Sequence, residues 1–321
     1  MIKILGDAPP VKRILTGLYS FDRAFINRKG DIGYPIGKGL ELFGVTHIGK
    51  STVVYGLAGI VAEQLGGHIA LADLEGFDPD FLTDVLEMVG YTGDVNYINE
   101  GDDKEILGDE KTLNALISTL RDEKYSVGIL DSIGAISPVS EQKGDLGDAN
   151  WGRRGMLMAQ FSRKGLKILR EHSDSKAIFA INHYYPRMSG FGYQTPGGEV
   201  KNYIFSMLVH VARVKIQNSN TNAFSDGSYI IKGTVKKNRW GLKDKEFYLF
   251  MLSGRGIHPG LTAVWDCYKL GLATRSGSIK MGDKTYGTLK NIMTKEWDNP
   301  EFFQPFYDYL RKGEKENALD T

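Results

Sequence analysis

The stretch Leu40-Glu-Leu-Phe-Gly44-Val45-Thr46-His47-Ile48-Gly49-Lys50-Ser51-Thr52 passes from a short apolar run into a complete G-x-x-x-x-G-K-[ST] phosphate loop. Gly44 and Gly49 permit the tight turn that aims consecutive N–H groups and a helix start at one anion. Lys50 is then expected to reach the terminal phosphates of a nucleoside triphosphate, and the Ser51 hydroxyl to ligate Mg²⁺. A glycine turn beside a surface lysine could carry the same letters. The apolar run before the loop and the helix-like run Ser51–Leu65 after it supply the strand-loop-helix context the motif needs.

Outward from the loop, strand-like runs at His68–Asp73, Val95–Ile98, Val127–Asp131 and Ala177–Asn182 alternate with stretches long enough for helices. That alternation predicts an α/β fold with a mostly parallel sheet. After Ser206, the runs Met207–Ile216, Ser228–Lys236 and Glu246–Leu252 follow one another without helices, so the sheet is expected to end in antiparallel strands. Gly254–Gly260 reads as a link. Ala263–Leu270 reads as a helix, Ser278–Lys280 and Lys284–Tyr286 flank a Gly282-Asp283 hairpin turn, and Glu301–Leu310 reads as a further helix. This tail predicts a small C-terminal α+β domain.

The chain's 321 residues carry a net charge of +1, so nucleic-acid binding must come from local patches rather than bulk charge. Cys267 is the single cysteine and cannot form an intrachain disulfide, which points to a reducing cytoplasm. No signal-like stretch opens the sequence and no apolar run reaches membrane-spanning length, so no membrane partner is expected.

Two carboxylates suit the phosphate loop. The apolar run Val127-Gly-Ile-Leu ends in Asp131, at the strand end where an acid can hold Mg²⁺ through a water molecule. Glu75 lies just beyond the run Ala70-Leu-Ala-Asp73, where a carboxylate can orient attacking water. Acids after strands also cap helices, so either could be structural.

Taken in order, these segments resemble RecA-type recombinases over about Ile2 to Leu310. Thr16-Gly17-Leu18-Tyr19-Ser20-Phe21-Asp22 is similar to the family's segment ahead of its core. Asp73-Leu74-Glu75 with Asp78-Pro79 is similar to the stretch bearing its catalytic glutamate, and Leu130-Asp131-Ser132 to its metal-binding strand end. The resemblance implies that Glu75 activates water, that Phe81 lies on the adenine of ATP and that Asp78 is a further nucleotide-binding residue. It divides the chain into an N-terminal interface strand and linker at 1–15, a RecA-like ATPase core at 16–260 and the small domain at 261–321.

Two loops carry the DNA-binding expectation. Glu141–Arg154 is glycine-rich with one large ring, and resembles the family's first DNA loop; Trp151 could stack on bases while Arg153, Arg154 and Arg163 meet phosphates. A packing tryptophan beneath a solvated basic face is the plainer alternative. Tyr184–Gly198 is long and aromatic, and reads as having almost no order of its own. Here Phe191-Gly192 and Gly197-Gly198 resemble the second DNA loop, making Arg187, Phe191 and Tyr193 candidates for single-stranded DNA. An Ω-loop packed on its own rings would look similar.

Departures and extras complete the reading. Bacterial members follow the asparagine at position 182 with glutamine, whereas this chain has His183, a γ-phosphate sensor candidate shared with phage relatives of the UvsX kind. Lys237-Asn238-Arg239 resembles the lysine pair that reaches a neighbour's ATP, with Lys236 as a competing register. Only about a dozen residues precede Arg13, which suggests weaker filament assembly. The resemblance implies a DNA-dependent ATPase using ATP and Mg²⁺. It implies filaments on single-stranded DNA, pairing with homologous duplex DNA, and single-strand-binding and mediator proteins as further candidate partners. A non-exchanging recombinase paralogue and a motor subunit on the same core remain open readings.

Overall fold

The computed structural model describes residues 10–98, 109–142, 152–186, 193–215 and 223–317. The central sheet is built from β1 (Gly39–Gly44), β2 (His68–Asp73), β3 (Val95–Ile98), β4 (Tyr125–Asp131), β5 (Ala177–His183), β6 (Phe205–Arg213), β7 (Tyr229–Asn238), β8 (Glu246–Leu252) and β9 (Gly256–Ile257). Its order is β9-β8-β7-β6-β1-β5-β4-β2-β3. The six strands from β6 to β3 run parallel, and β7, β8 and β9 close one edge antiparallel.

Helices α1 (Lys50–Leu65) and α2 (Pro79–Met88) cover one face, while α3 (Asp109–Thr119) and α4 (Arg153–Glu171) cover the other. The period-two alternation of a strand sets this division. In β5, Ala177, Phe179 and Ile181 join the α1 side, and Ile178 and Ala180 join the α4 side. Helix α1 is buried on almost every side, from Val53 to Ala62, which explains why its sequence lacks an amphipathic stripe. Gly66, with φ +66°, ends it and returns its N–H to the last carbonyls.

The expected strands at His68–Asp73, Val95–Ile98 and Glu246–Leu252 match the observed ones residue for residue. Three expectations need correction. The supposed link at Gly254–Gly260 contains β9, which pairs Ile257 with Met251, and the start of helix α5 (Pro259–Lys269). That helix begins earlier than expected because His258 caps it, Nδ1 accepting from Leu261 N–H at 3.1 Å, with Pro259 in the first turn. Finally, the supposedly unordered loop after β5 has a paired base, in which Tyr185–Pro186 and Tyr193–Gln194 form an antiparallel ladder.

Beyond α5 come a three-stranded antiparallel sheet, β10 (Thr274–Ser276), β11 (Ser278–Met281) and β12 (Lys284–Gly287), and helix α6 (Pro300–Asn317). Their apolar side chains form one cluster with Ile230 and Phe250 of the central sheet. No helix among the described residues is long and apolar enough to cross a membrane.

Asp266 of α5 is 1% exposed, and its Oδ2 accepts from Ser20 N–H at 3.0 Å, tying the segment ahead of the sheet to the C-terminal region. Burial pushes its carboxyl up to about 7, against the pull of Ser20. A folded-state value above the unfolded one favours folding at low pH, and that contribution is lost as pH rises through about 7. Asp266→Asn is therefore expected to raise the melting temperature at pH 8 by several °C, with a much smaller gain at pH 5. Thermal melts of both proteins across that range check it; equal shifts at both pH values would contradict the assignment.

Candidate functional site

Four neighbouring parallel strands end at one place. In the order β1-β5-β4-β2, their carboxyl ends deliver Gly44 and the phosphate loop, His183, Asp131 and Asp73, with Gly44 registered against His183 and Asp131 against Asp73. Such an edge is where open α/β sheets bind ligands. The loop turns with His47 at φ +59° and Gly49 at φ +99°, and α1 begins at Lys50. A Cβ on Gly49 would lie 2.3 Å from Tyr229 Oη, so glycine is required there by space as well as by backbone angle. Arg213 braces the same turn. It donates to His47 O at 3.2 Å and stacks 3.9 Å over the Tyr229 ring.

Lys50 is 5% exposed, and its Nζ donates to Val45 O at 2.8 Å and to His183 Nδ1 at 3.3 Å. An ammonium can only donate, so Nδ1 is the acceptor and Nε2 carries the imidazole proton. That Nε2–H faces Glu75 Oε1 at 3.2 Å, and the Ser132 hydroxyl donates to the same oxygen. Burial lowers the Lys50 ammonium from its ordinary value, while Glu75 and Asp131 pull it back. Glu75 is itself held by Asp73, whose Oδ1 accepts from Glu75 N at 3.1 Å and Gly76 N at 3.0 Å.

Asp131 is 3% exposed, and its Oδ2 accepts from Tyr55 Oη at 2.8 Å. Burial pushes its carboxyl up to about 6; the hydroxyls of Tyr55 and Ser51 oppose this, and the charges of Glu75 and Asp73 add to it. Burial, and then the Asp131 charge, push the Tyr55 phenol up, so it stays a donor. Asp131 Oδ1 is buried and lacks a hydrogen-bond partner of normal geometry. An orphan carboxylate oxygen beside the Ser51 hydroxyl is a hard-oxygen donor set, which fits Mg²⁺. Of the further residues expected to bind the nucleotide, Asp78 caps α2, its Oδ1 accepting from Asp80 N at 3.0 Å, and Phe81 is partly buried against the α1-side core.

A second polar cluster lies behind the first. Glu41, in the middle of β1, is 0% exposed and accepts from Lys201 Nζ at 2.6 Å and from Asn182 Nδ2 at 2.8 Å. Asn182 also donates to Pro196 O at 3.1 Å, and its Oδ1 accepts from His183 N–H at 2.9 Å. The base of the second loop is thus one residue removed from His183. Gly197, with φ +90°, passes so close that a Cβ would lie 2.8 Å from Ile133 Cγ2; exposed Gly198 follows.

The remaining expected residues are spread out. Trp151, Arg187 and Phe191 lie outside the described residues, and of Tyr193 only the backbone pairing with Pro186 is described. Arg153 and Arg163 are exposed on α4, and Arg154 donates to Glu141 Oε1 at 3.3 Å and Gly134 O at 3.4 Å. Nine residues of helix, roughly 900° of rotation, put Arg163 on the opposite side from Arg154. Lys237 is level with Glu41 through Leu208, and Arg239 N–H bonds Ser206 O near the start of β6. The phosphate loop leaves β1 three residues further on, roughly 10 Å along the sheet and two strands across. A bulge at Leu208/Val209 accommodates Lys236, whose charge acts on His210, whereas Lys237 senses Arg239, Lys201 and Glu41.

Tyr55, Glu41, Lys201, Arg213 and Tyr229 were not among the expected site residues. Glu41 alone left a trace, as a lone acid inside the apolar run Leu40–Phe43.

Fold and site together define a RecA-like α/β core around a phosphate loop. The family described as RecA N-terminal domain matches residues 2–258, and the chain belongs to it. It is similar to Protein RecA of Kineococcus radiotolerans, 29% identical over 260 residues covering 79% of this chain and 69% of that protein. It is also similar to Protein RecA of Aquifex aeolicus, 28% identical over 308 residues covering 94% and 84%. A solved structure titled "Crystal structure of the RadB recombinase" aligns at 18% identity and a TM-score of 0.49, over 70% of this chain and 92% of that one.

The buried pair gives a sharp expectation. Lys201→Met strands the Glu41 carboxylate and should cost about 3–5 kcal/mol, whereas Glu41→Gln with Lys201→Met should fold nearly as well as the parent. Urea unfolding of the single and double variants measures this, and a double variant as unstable as the single one would contradict it.

Proposed function

We propose that this protein is an ATP-dependent homologous recombinase that forms filaments on single-stranded DNA, pairs it with homologous duplex and hydrolyses ATP when DNA is bound. One arrangement carries the reading: Lys50, His183 and Glu75 form a continuous hydrogen-bonded row at the strand ends, and Asn182 joins that row to the base of the second loop. Lys50 and the loop N–H groups bind the phosphates. Glu75 takes the proton of the attacking water, and His183 keeps Nε2–H directed toward that carboxylate until a γ-phosphate competes for it. Ser51, with Asp131 through water, would hold Mg²⁺, which neutralises charge on the phosphate oxygens. The family's activity supports this assignment, and His183 supports placement near phage-carried members.

Lys237 and Arg239 sit too far down the sheet to serve the phosphate loop of their own chain. We assign them to the neighbour's ATP, where added positive charge stabilises the leaving phosphate and ties turnover to assembly. Phe191, Tyr193, Trp151, Arg153, Arg163 and Arg187 are assigned to single-stranded DNA. Negative-stain imaging with single-stranded DNA and a slowly hydrolysed ATP analogue tests the whole reading. Helical filaments support it; closed rings favour a motor, and neither form favours a regulatory paralogue.

The active site separates into two halves that variants can recombine. Glu75→Gln should bind ATP yet lose most DNA-stimulated hydrolysis, and the double variant Lys237→Ala/Arg239→Ala should behave likewise. Mixing the two should restore part of the activity, because some interfaces then join an intact Glu75 to intact fingers. Steady-state ATPase assays at fixed total protein decide the point. Full turnover by the double variant alone would rule out the trans role.

A further inference from the structure

Tyr55 lies one helical turn beyond Ser51, so both side chains rise from the same face of α1 toward β4. Ser51 is the residue that would ligate the metal directly. Tyr55 is 2% exposed, and its hydroxyl is spent on Asp131 Oδ2 at 2.8 Å, across 76 residues of sequence. The other carboxylate oxygen, Oδ1, is buried without a partner.

Two hydroxyls act on this carboxylate, those of Tyr55 and Ser51, and a metal would claim Ser51, so the orientation of the loaded site depends on Tyr55 being fixed. The Tyr55 ring is fixed: it belongs to the packed α1-side core. We propose that Tyr55 is a positioning residue for the metal site, fixing Asp131 by one oxygen so that the other is left to receive a water of nucleotide-bound Mg²⁺. One helix then sets both halves of the metal's protein shell, Ser51 directly and Asp131 through the phenol. An orienting partner of this kind is commonly worth 10–100-fold in metal affinity. The inference rests on the ATP and Mg²⁺ reading above.

The test is Tyr55→Phe, which keeps the ring and deletes the donor. Binding of a fluorescent ADP analogue is titrated with MgCl₂ and repeated in EDTA, and Mn²⁺ uptake by the nucleotide complex is followed by electron paramagnetic resonance. The half-saturating Mg²⁺ concentration should rise roughly tenfold or more, with weaker Mn²⁺ uptake, while nucleotide affinity in EDTA stays unchanged. A purely structural hydroxyl would lower affinity equally with and without metal, or leave both unchanged; either result overturns the proposal. Should Tyr55→Phe unfold more readily, it is added to Asp131→Asn. With the carboxylate gone the phenol has nothing to orient, so no further loss of metal dependence is expected, and an additive loss overturns the proposal. A parent protein whose nucleotide binding ignores Mg²⁺ would instead refute the underlying site.

Discussion

A buried ammonium must be surrounded by acceptors, and the site is organised around meeting that demand for Lys50. With Nζ held by Val45 O and His183 Nδ1, the histidine has no freedom over which nitrogen carries its proton. Nε2–H then meets Glu75, whose backbone is pinned by Asp73 and whose carboxylate also accepts from Ser132. Each group satisfies the next. The row runs from buried Lys50 to exposed Glu75, so a group that displaces the buried member takes away the partner that orients His183 toward Glu75. A phosphate arriving at Lys50 would be such a displacement.

The sheet makes this row possible. Gly44 with His183, and Asp131 with Asp73, are register partners on adjacent parallel strands, so the polar ends align because the apolar strands pair as they do. The strand interiors were legible in the sequence for the same reason: uninterrupted runs such as Ala70–Ala72 bury on both faces and stop where polar chemistry begins. The boundaries that slipped did so for local reasons that hydrophobicity does not encode. β7 runs to Asn238 because a bulge absorbs Lys236, and α5 starts early because a histidine caps it.

Of the site, the groups borne on motifs could be read directly: Lys50, Ser51, Asp131, Glu75 and His183 converge at one edge. Those that hold them in place could not. Tyr55 meets Asp131 across 76 residues, and Lys201 meets Glu41 across 160. A lone tyrosine in an apolar helix and a lone lysine after a glycine pair have no local pattern that marks them; only the folded chain supplies the partner. Arg154, expected to meet phosphates, stands in the first turn of α4, and the partners its guanidinium has in the fold, Glu141 and Gly134, were likewise not marked by any local pattern.

The same geometry bears on the proposed trans role of Lys237 and Arg239. Lys237 and Arg239 lie along the antiparallel edge at the level of Glu41 and below, while the phosphate loop leaves β1 three residues beyond Glu41 and two strands across. Under the trans assignment proposed above, these charges would reach a phosphate loop only when copies stack head to tail, the arrangement that generates a helical filament rather than a closed dimer. Lys237 also donates to Asn202 O at 3.3 Å, one residue from Lys201, which is bound to Glu41 and so to Asn182. Lys237, the base of the second loop and the Lys50–His183–Glu75 row are therefore linked through contacts that converge on one buried carboxylate. A carboxylate at 0% exposure has no water to replace a lost partner, so withdrawing Lys201 or Asn182 from Glu41 carries a desolvation cost that holds these contacts together.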